Sequence, residues 1–236
     1  MQTGDEIHMV KYRNLLKRVA YLESVLFERE LDLQNSTEQS IIDDLFSGDI
    51  SLVKNAIESG VDINKQYNIE SADDQTPLLW YASKDDDTSL KIVQILLKNG
   101  ADVDKGNSIG VTPLMQACHD GSEETAALLL KYNANVEAKD NDGRTAIFYA
   151  VTRHVSPSDD FVKMLYKAGA DLDATNNFGH TPLTVTWSIQ KDNFRPIYRP
   201  DAKLLLELGA NVDYLYEYVE NDAIVDAALK SIGYLK

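Results

Sequence analysis

The stretch Gly100-Ala101-Asp102-Val103-Asp104-Lys105-Gly106-Asn107-Ser108-Ile109-Gly110-Val111-Thr112-Pro113-Leu114 carries two landmarks that return along the chain. The first is Gly-Ala/Val-Asp. It recurs as Gly60-Val61-Asp62, Gly169-Ala170-Asp171 and Gly209-Ala210-Asn211, with Asn133-Ala134-Asn135 as a weaker copy. The second is Thr-Pro-Leu. It recurs as Thr76-Pro77-Leu78 and Thr181-Pro182-Leu183, with Thr145-Ala146-Ile147 in the same role. The successive threonines lie 36, 33 and 36 residues apart. Two independent landmarks in step at one period describe a chain of similar stacked units.

Each unit can be read from its landmarks. Thr-Pro opens a helix: the threonine caps it, and proline sits at the first helical position, where no N–H is required. Leu78, Ala82, Leu114, Ala117, Ile147 and Ala150 are spaced to face the neighbouring units. A turn and a second helix follow, at Leu90–Lys98, Glu123–Tyr132, Phe161–Ala168 and Asp201–Leu208. Glycine, or Asn133, stops each second helix in the left-handed region. A polar stretch such as Asp140-Asn141-Asp142-Gly143 then suits a tight hairpin leading to the next threonine.

Helix, turn, helix, Gly-Ala-Asp and a polar hairpin at this period resemble the ankyrin repeat family, whose signature is T-P-L-H-x-A. The resemblance covers residues 38–236 and implies an all-α solenoid of helix pairs with projecting hairpins. About five repeats are expected, the first without its Thr-Pro-Leu step, followed by a partial last unit at Asn221–Lys236. The signature histidine is replaced by Leu79, Met115, Phe148 and Thr184. Apolar packing is therefore expected to take over the histidine's tying of neighbouring hairpins. Insertions fall between the helices of three repeats, at Asp85–Asp87, around His154–Ser158, and at Gln190–Pro200. The hairpin Gly60–Thr76 is also lengthened.

Residues 1–37 stand apart. Asp5–Gln34 is expected to form a helix, with Tyr12, Leu15, Val19, Leu22, Leu26 and Leu33 alternating steps of three and four around Arg29. Leu16 and Val25 widen that stripe, and Lys11, Arg13, Lys17 and Arg18 make the segment locally basic. The stripe is expected to dock on the end of the stack; the alternative is a short coiled coil that makes a homodimer through residues 5–34. Ser36 and Gln39 have capping-box spacing and predict a new helix start there.

The 236 residues carry a net charge of −15, which argues against nucleic acid and anionic membranes and favours a basic protein partner. The one cysteine, Cys118, implies a reducing, intracellular setting, cytoplasmic or nuclear. The acidic N-terminus does not read as a signal peptide, and no apolar run reaches membrane-spanning length. No phosphate-binding glycine loop, metal spacing among His8, His119, His154 and His180, or nucleophile–base pairing is present, so neither cofactor, metal nor enzymatic activity is expected.

The resemblance implies a protein-binding groove formed by hairpin tips and the inner face of each first helix. It places Ile109, Val111, His119 and Asp120 in the third repeat. Asp142, Arg144, Tyr149 and Arg153 fall in the fourth, and Phe178, His180 and Ile189 in the fifth. Trp80 and Lys84 take the matching positions of the second. Arg195 and Arg199, beside Phe194 and Tyr198 in the long loop, extend the set. The resemblance fits scaffolds, adaptors and inhibitors, and equally the ankyrin proteins that intracellular bacteria deliver into host cells.

Overall fold

The computed structural model describes residues 4–69, 72–153, 159–189, 196–198, 201–219 and 222–235. Its helices are α1 (Gly4–Phe46), α2 (Ile50–Glu58), α3 (Pro77–Ala82), α4 (Asp87–Lys98), α5 (Pro113–His119) and α6 (Glu123–Lys131). They continue with α7 (Ala146–Thr152), α8 (Asp159–Lys167), α9 (Pro182–Val185), α10 (Asp201–Glu207), α11 (Asp213–Val219) and α12 (Asp222–Ser231). Taken in pairs, with the C-terminal part of α1 joining α2, they make a stack. First helices pack on first helices and second on second.

The threonine landmarks act as read. The Thr76 hydroxyl accepts the Leu79 N–H at 3.1 Å, and Thr181 accepts that of Thr184 at 3.3 Å. Thr112 accepts from Met115 at 3.4 Å, while Thr145, followed by alanine instead of proline, makes no such cap. The second helices end as their glycines require. Gly60, Gly100, Gly169 and Gly209 all have positive φ, and Asn133 reaches φ 63° without glycine's freedom. The following residue then donates back across the last turn, as Ala101 does to the Leu96 carbonyl at 3.0 Å.

The core runs through the stack as one cluster. Leu78, Leu114, Ile147 and Leu183 from the first helices meet Ile92, Leu96, Leu129, Val162, Leu165 and Leu205 from the second, all fully buried. Each such side chain contributes about 1.5–3 kcal/mol of transfer free energy. Ala82, Ala117 and Ala150 keep the first helices close.

Polar ladders join neighbouring units along the hairpin edge, alongside the buried Ala101, Ala134, Ala170, Leu172 and Ala174 of the same loops. Asp102 N–H donates to Asn64 Oδ1 at 2.7 Å and Asn135 N–H to Asp104 Oδ1 at 2.8 Å. Asp171 N–H donates to Glu137 Oε1 at 2.9 Å, and Asn211 N–H to Asp173 Oδ1 at 2.8 Å. One polar side chain per unit thus reaches the backbone of the next. The residues standing in for histidine are buried. Two of them close their own helix start: Met115 Sδ accepts the Thr112 N–H at 3.4 Å, and Thr184 Oγ1 that of Thr181 at 2.8 Å.

Four expectations are corrected. The first helix does not stop at residue 34. α1 is continuous to Phe46, and Gln39 donates to Asp43 at 2.8 Å along the same helix instead of closing a capping box. Asn35-Ser36-Thr37 contains neither glycine nor proline, and residues of this kind cost well under about 1 kcal/mol each in a helix interior. Second, the described side chains at residues 17–30 are all exposed, so this part of α1 does not dock on the stack. Third, the last unit is a complete helix pair, α11 with α12.

Fourth, the first helix of the fifth repeat is cut to four residues. Its β-branched run Thr184-Val185-Thr186 favours extended backbone, and Thr186 Oγ1 donates to the Leu183 carbonyl at 2.6 Å. The chain leaves as a strand, Trp187–Ile189, antiparallel to Pro196–Tyr198. Two antiparallel strands, the first starting at the buried Trp187, therefore stand on either side of residues 190–195. The lengthened hairpin after Gly60 likewise pairs Tyr67–Ile69 with Ala72–Gln75.

Candidate protein-binding groove

Three hairpin tips share one device. The side-chain oxygen of Asn107 accepts the N–H groups of Ile109 and Val111, that of Asp140 those of Asp142 and Arg144, and that of Asn176 those of Phe178 and His180. Tip joins tip through Asn141, whose N–H donates to the Ile109 carbonyl at 3.0 Å, and Asn177, whose N–H donates to the Asp142 carbonyl at 2.8 Å. Gly143 permits that approach. It has φ 77°, and a Cβ there would lie 2.6 Å from Asn177 Oδ1.

This strip sets an apolar residue at two tips, Ile109 at 55% exposure and Phe178 at 68%. Between them lies a polar cluster. Asp140 Oδ2 accepts from Tyr149 Oη at 2.6 Å and from Arg144 Nε at 2.8 Å. Arg144 also meets Asp142 at 3.2 Å and lies over the Tyr149 ring. Burial pushes the Asp140 carboxyl up, but hydrogen bonds from Tyr149 and Arg144 outweigh it and hold the group below the usual carboxylate range. Burial, then the Asp140 carboxylate, push the Tyr149 hydroxyl up. The lone pairs of Asp140 are committed to N–H and O–H donors, so the Asp-Asn-Asp-Gly stretch is a hairpin brace.

His119 stacks edge-on to Tyr149 and pairs with Asp120 at 2.7 Å. With Arg144, Tyr149 and Phe178 it lines a cleft of about 270 Å³ between α5, α7 and the fifth hairpin. His180 continues the surface: it lies near Phe178 and edge-on to Tyr218 of α11, at 5.3 Å between centroids. Ile109, His119, Asp120, Asp142, Arg144, Tyr149, Phe178 and His180 are therefore brought onto one face. Trp80 and Lys84 form a separate pair in the second repeat, the ammonium 3.9 Å from the indole centroid and Phe46 edge-on beyond it.

Other residues read as groove positions stand elsewhere. Val111 is 5% exposed and belongs to the core, because the chain turns inward immediately after Gly110. Arg153 is a brace between units. Its guanidinium donates to the Cys118 and Gly121 carbonyls, both at 3.3 Å, and covers the Phe161 ring. Ile189 is not on a helix; its strand backbone pairs with Pro196. Arg195, Arg199 and Phe194, like His154–Ser158, lie outside the described residues. Asp86 caps α4 through Thr88, Ser89 and the Ser89 hydroxyl, so the acidic run is partly structural. Burial pushes the Cys118 thiol up to about 12, which leaves it inert. Asp140 and Tyr218 were not singled out from the sequence; the only hint for Asp140 was its place at the head of the hairpin, four residues before Arg144.

The repeat geometry agrees with a family model described as ankyrin repeats (3 copies), which matches residues 45–140 and 79–176. The chain belongs to the ankyrin repeat family. An ankyrin repeat protein of variola virus (OPG189) is 30% identical over 158 residues, covering 66% of this chain and 26% of the viral protein. A putative ankyrin repeat protein of fowlpox virus (FPV031) is 34% identical over 144 residues, 59% of this chain and 40% of its own. A putative ankyrin repeat protein of Rickettsia felis is 32% identical over 127 residues, 52% of this chain and 38% of its own. The chain thus spans less than half the length of each of these relatives. Ankyrin repeats are protein–protein interaction modules, and no helix among the described residues is long and apolar enough to cross a membrane.

Proposed function

We propose that this ankyrin stack is a non-enzymatic docking module, a scaffold, adaptor or inhibitor, that holds a protein partner in the groove of its third to fifth repeats. The observation that supports it most is the exposed pair Ile109 and Phe178 on either side of the braced Arg144–Tyr149 cluster. Large exposed apolar side chains cost solubility in a free protein. Aromatic and arginine side chains are also the types enriched where interfaces concentrate their energy. Arg144 and Tyr149 are held in place before binding, so less conformational entropy is lost on docking. The net charge of −15 favours a partner with a basic face.

A second reading places that partner in an infected host cell. It is favoured by the poxvirus and Rickettsia relatives. Capture with the intact chain from host-cell extract, set beside capture by the Ile109→Ser/Phe178→Ser variant, tests both. Proteins retained by the intact chain and lost by the variant support groove docking. Equal retention by both contradicts it.

A further inference from the structure

The described side chains at residues 17–30 of α1 stand clear of the repeats, Val19, Leu22, Val25 and Leu26 among them. The helix that carries them runs without a break into the first repeat. In heptad lettering Val19 and Leu26 occupy a, while Leu22 and Arg29 occupy d. The sequence carries the same register outward to Tyr12 and Leu33 at a and Leu15 at d. At the described flank positions Arg18 and Val25 lie at g and Glu23 and Glu30 at e; the sequence adds Lys11 and Asp32 at g and Leu16 at e.

The opposite charges of Arg18 at g and Glu23 at the following e select the occupant and its direction. In a parallel pair, g of one helix lies beside e of the next heptad in the other. That sets Arg18 against Glu23 of the second copy, twice by symmetry. It also sets Arg29, at d, opposite Arg29 of the second copy, with Glu30 of each chain alongside. An antiparallel pair sets g against g and e against e, so Arg18 no longer faces Glu23. β-branched Val19 at a followed by Leu22 at d is the pattern of a two-stranded parallel coil. A helix this exposed gains little from propensity alone and is stabilised chiefly by covering its apolar stripe.

We propose that residues 12–33 pair with a second copy of this chain as a parallel, in-register coiled coil. The coil's helices pass directly into the two first repeats. Two grooves are then presented by one assembly, and a partner with repeated sites binds with avidity and no new contact. This proposal rests on α1 alone and stands or falls separately from the groove.

Sedimentation equilibrium on the intact chain tests it. The expected species has twice the 26.4 kDa chain mass, and Leu22→Glu/Leu26→Glu should convert it to monomer with unchanged helical melting of the repeats. Arg18→Glu and Glu23→Arg should each raise the dimer dissociation constant about tenfold. The double exchange Arg18→Glu/Glu23→Arg should restore it. Val19→Cys should form a disulfide-linked dimer under mild oxidation, with buried Cys118 a silent bystander. The proposal is overturned by an intact chain that stays monomeric, or by a dimer indifferent to Leu22→Glu/Leu26→Glu. It is equally overturned if Arg18→Glu and Glu23→Arg leave association unchanged, because the parallel g–e pairing is then absent.

Discussion

The Tyr149 hydroxyl donates a 2.6 Å hydrogen bond to Asp140 Oδ2, joining the groove face of α7 to the hairpin that precedes it. Asp140 thereby becomes the hub of its repeat, accepting two backbone N–H groups, a guanidinium and a phenol. Asp140→Ala leaves all four donors without their acceptor and should cost about 2–4 kcal/mol by denaturant unfolding. Tyr149→Phe, which removes the bond to Asp140 and the longer one from Arg144 at 3.3 Å, should cost about 1.5–3 kcal/mol. A loss near zero for Asp140→Ala would mean that the hairpin is held by its neighbours alone.

The same carboxylate predicts a pH dependence. Its folded pKa is depressed. Such a group adds stability that is fully present above its unfolded value, about pH 4, and is lost as pH falls through the folded value. The stability gap between the intact chain and Asp140→Asn should therefore be constant from neutral pH to about pH 5 and close at lower pH. A gap that widens on acidification has the wrong sign for this account.

Legibility from the sequence followed how local the cause was. The glycine stops and the caps of Thr76, Thr112 and Thr181 are decided within a few residues and stand where the sequence puts them, whereas Thr145 makes no cap bond. The braces were not readable. Arg153 reaches carbonyls at Cys118 and Gly121, more than thirty residues back, and Asp140 finds Tyr149 only after hairpin and helix are set. Val111 was misplaced by the sharpness of one glycine turn, where a single residue separates an exposed tip from the core. The end of α9 was missed because the helix closes at Thr186 and a strand begins at the buried Trp187, which pairs with residues beyond the insertion.

The repeat register itself is tested by Leu114, which is fully buried at the centre of the stack. Leu114→Ala should destabilise by about 2–5 kcal/mol, the transfer loss plus the residual cavity. A loss of a few tenths would put Leu114 on the surface and break the register.

Gly143→Ala tests the approach between tips. The substitution strains a left-handed residue and drives its Cβ onto Asn177, so it should cost about 1–3 kcal/mol. Gly169→Ala serves as comparison. It shares the positive φ but meets nothing within 4 Å, so only the backbone strain remains. Equal losses would show that the tip contact adds nothing.

Deleting residues 1–30 should leave the melting of the repeats nearly unchanged, since residues 17–30 are exposed and the core of the first unit begins at Ile41, Ile42 and Leu45. A fall of several degrees would return this segment to the role of a cap.

The most direct test of the account is a comparison of two surfaces in one binding experiment. Ile109→Ser/Phe178→Ser alters the groove; Tyr166→Ser alters an exposed aromatic on the second-helix face. For a partner bound by the intact chain, titration calorimetry should show at least a tenfold loss of affinity for the groove variant and no change for Tyr166→Ser. Undiminished affinity of the groove variant, with binding lost in Tyr166→Ser, would contradict groove docking and move the interface to the outer helices.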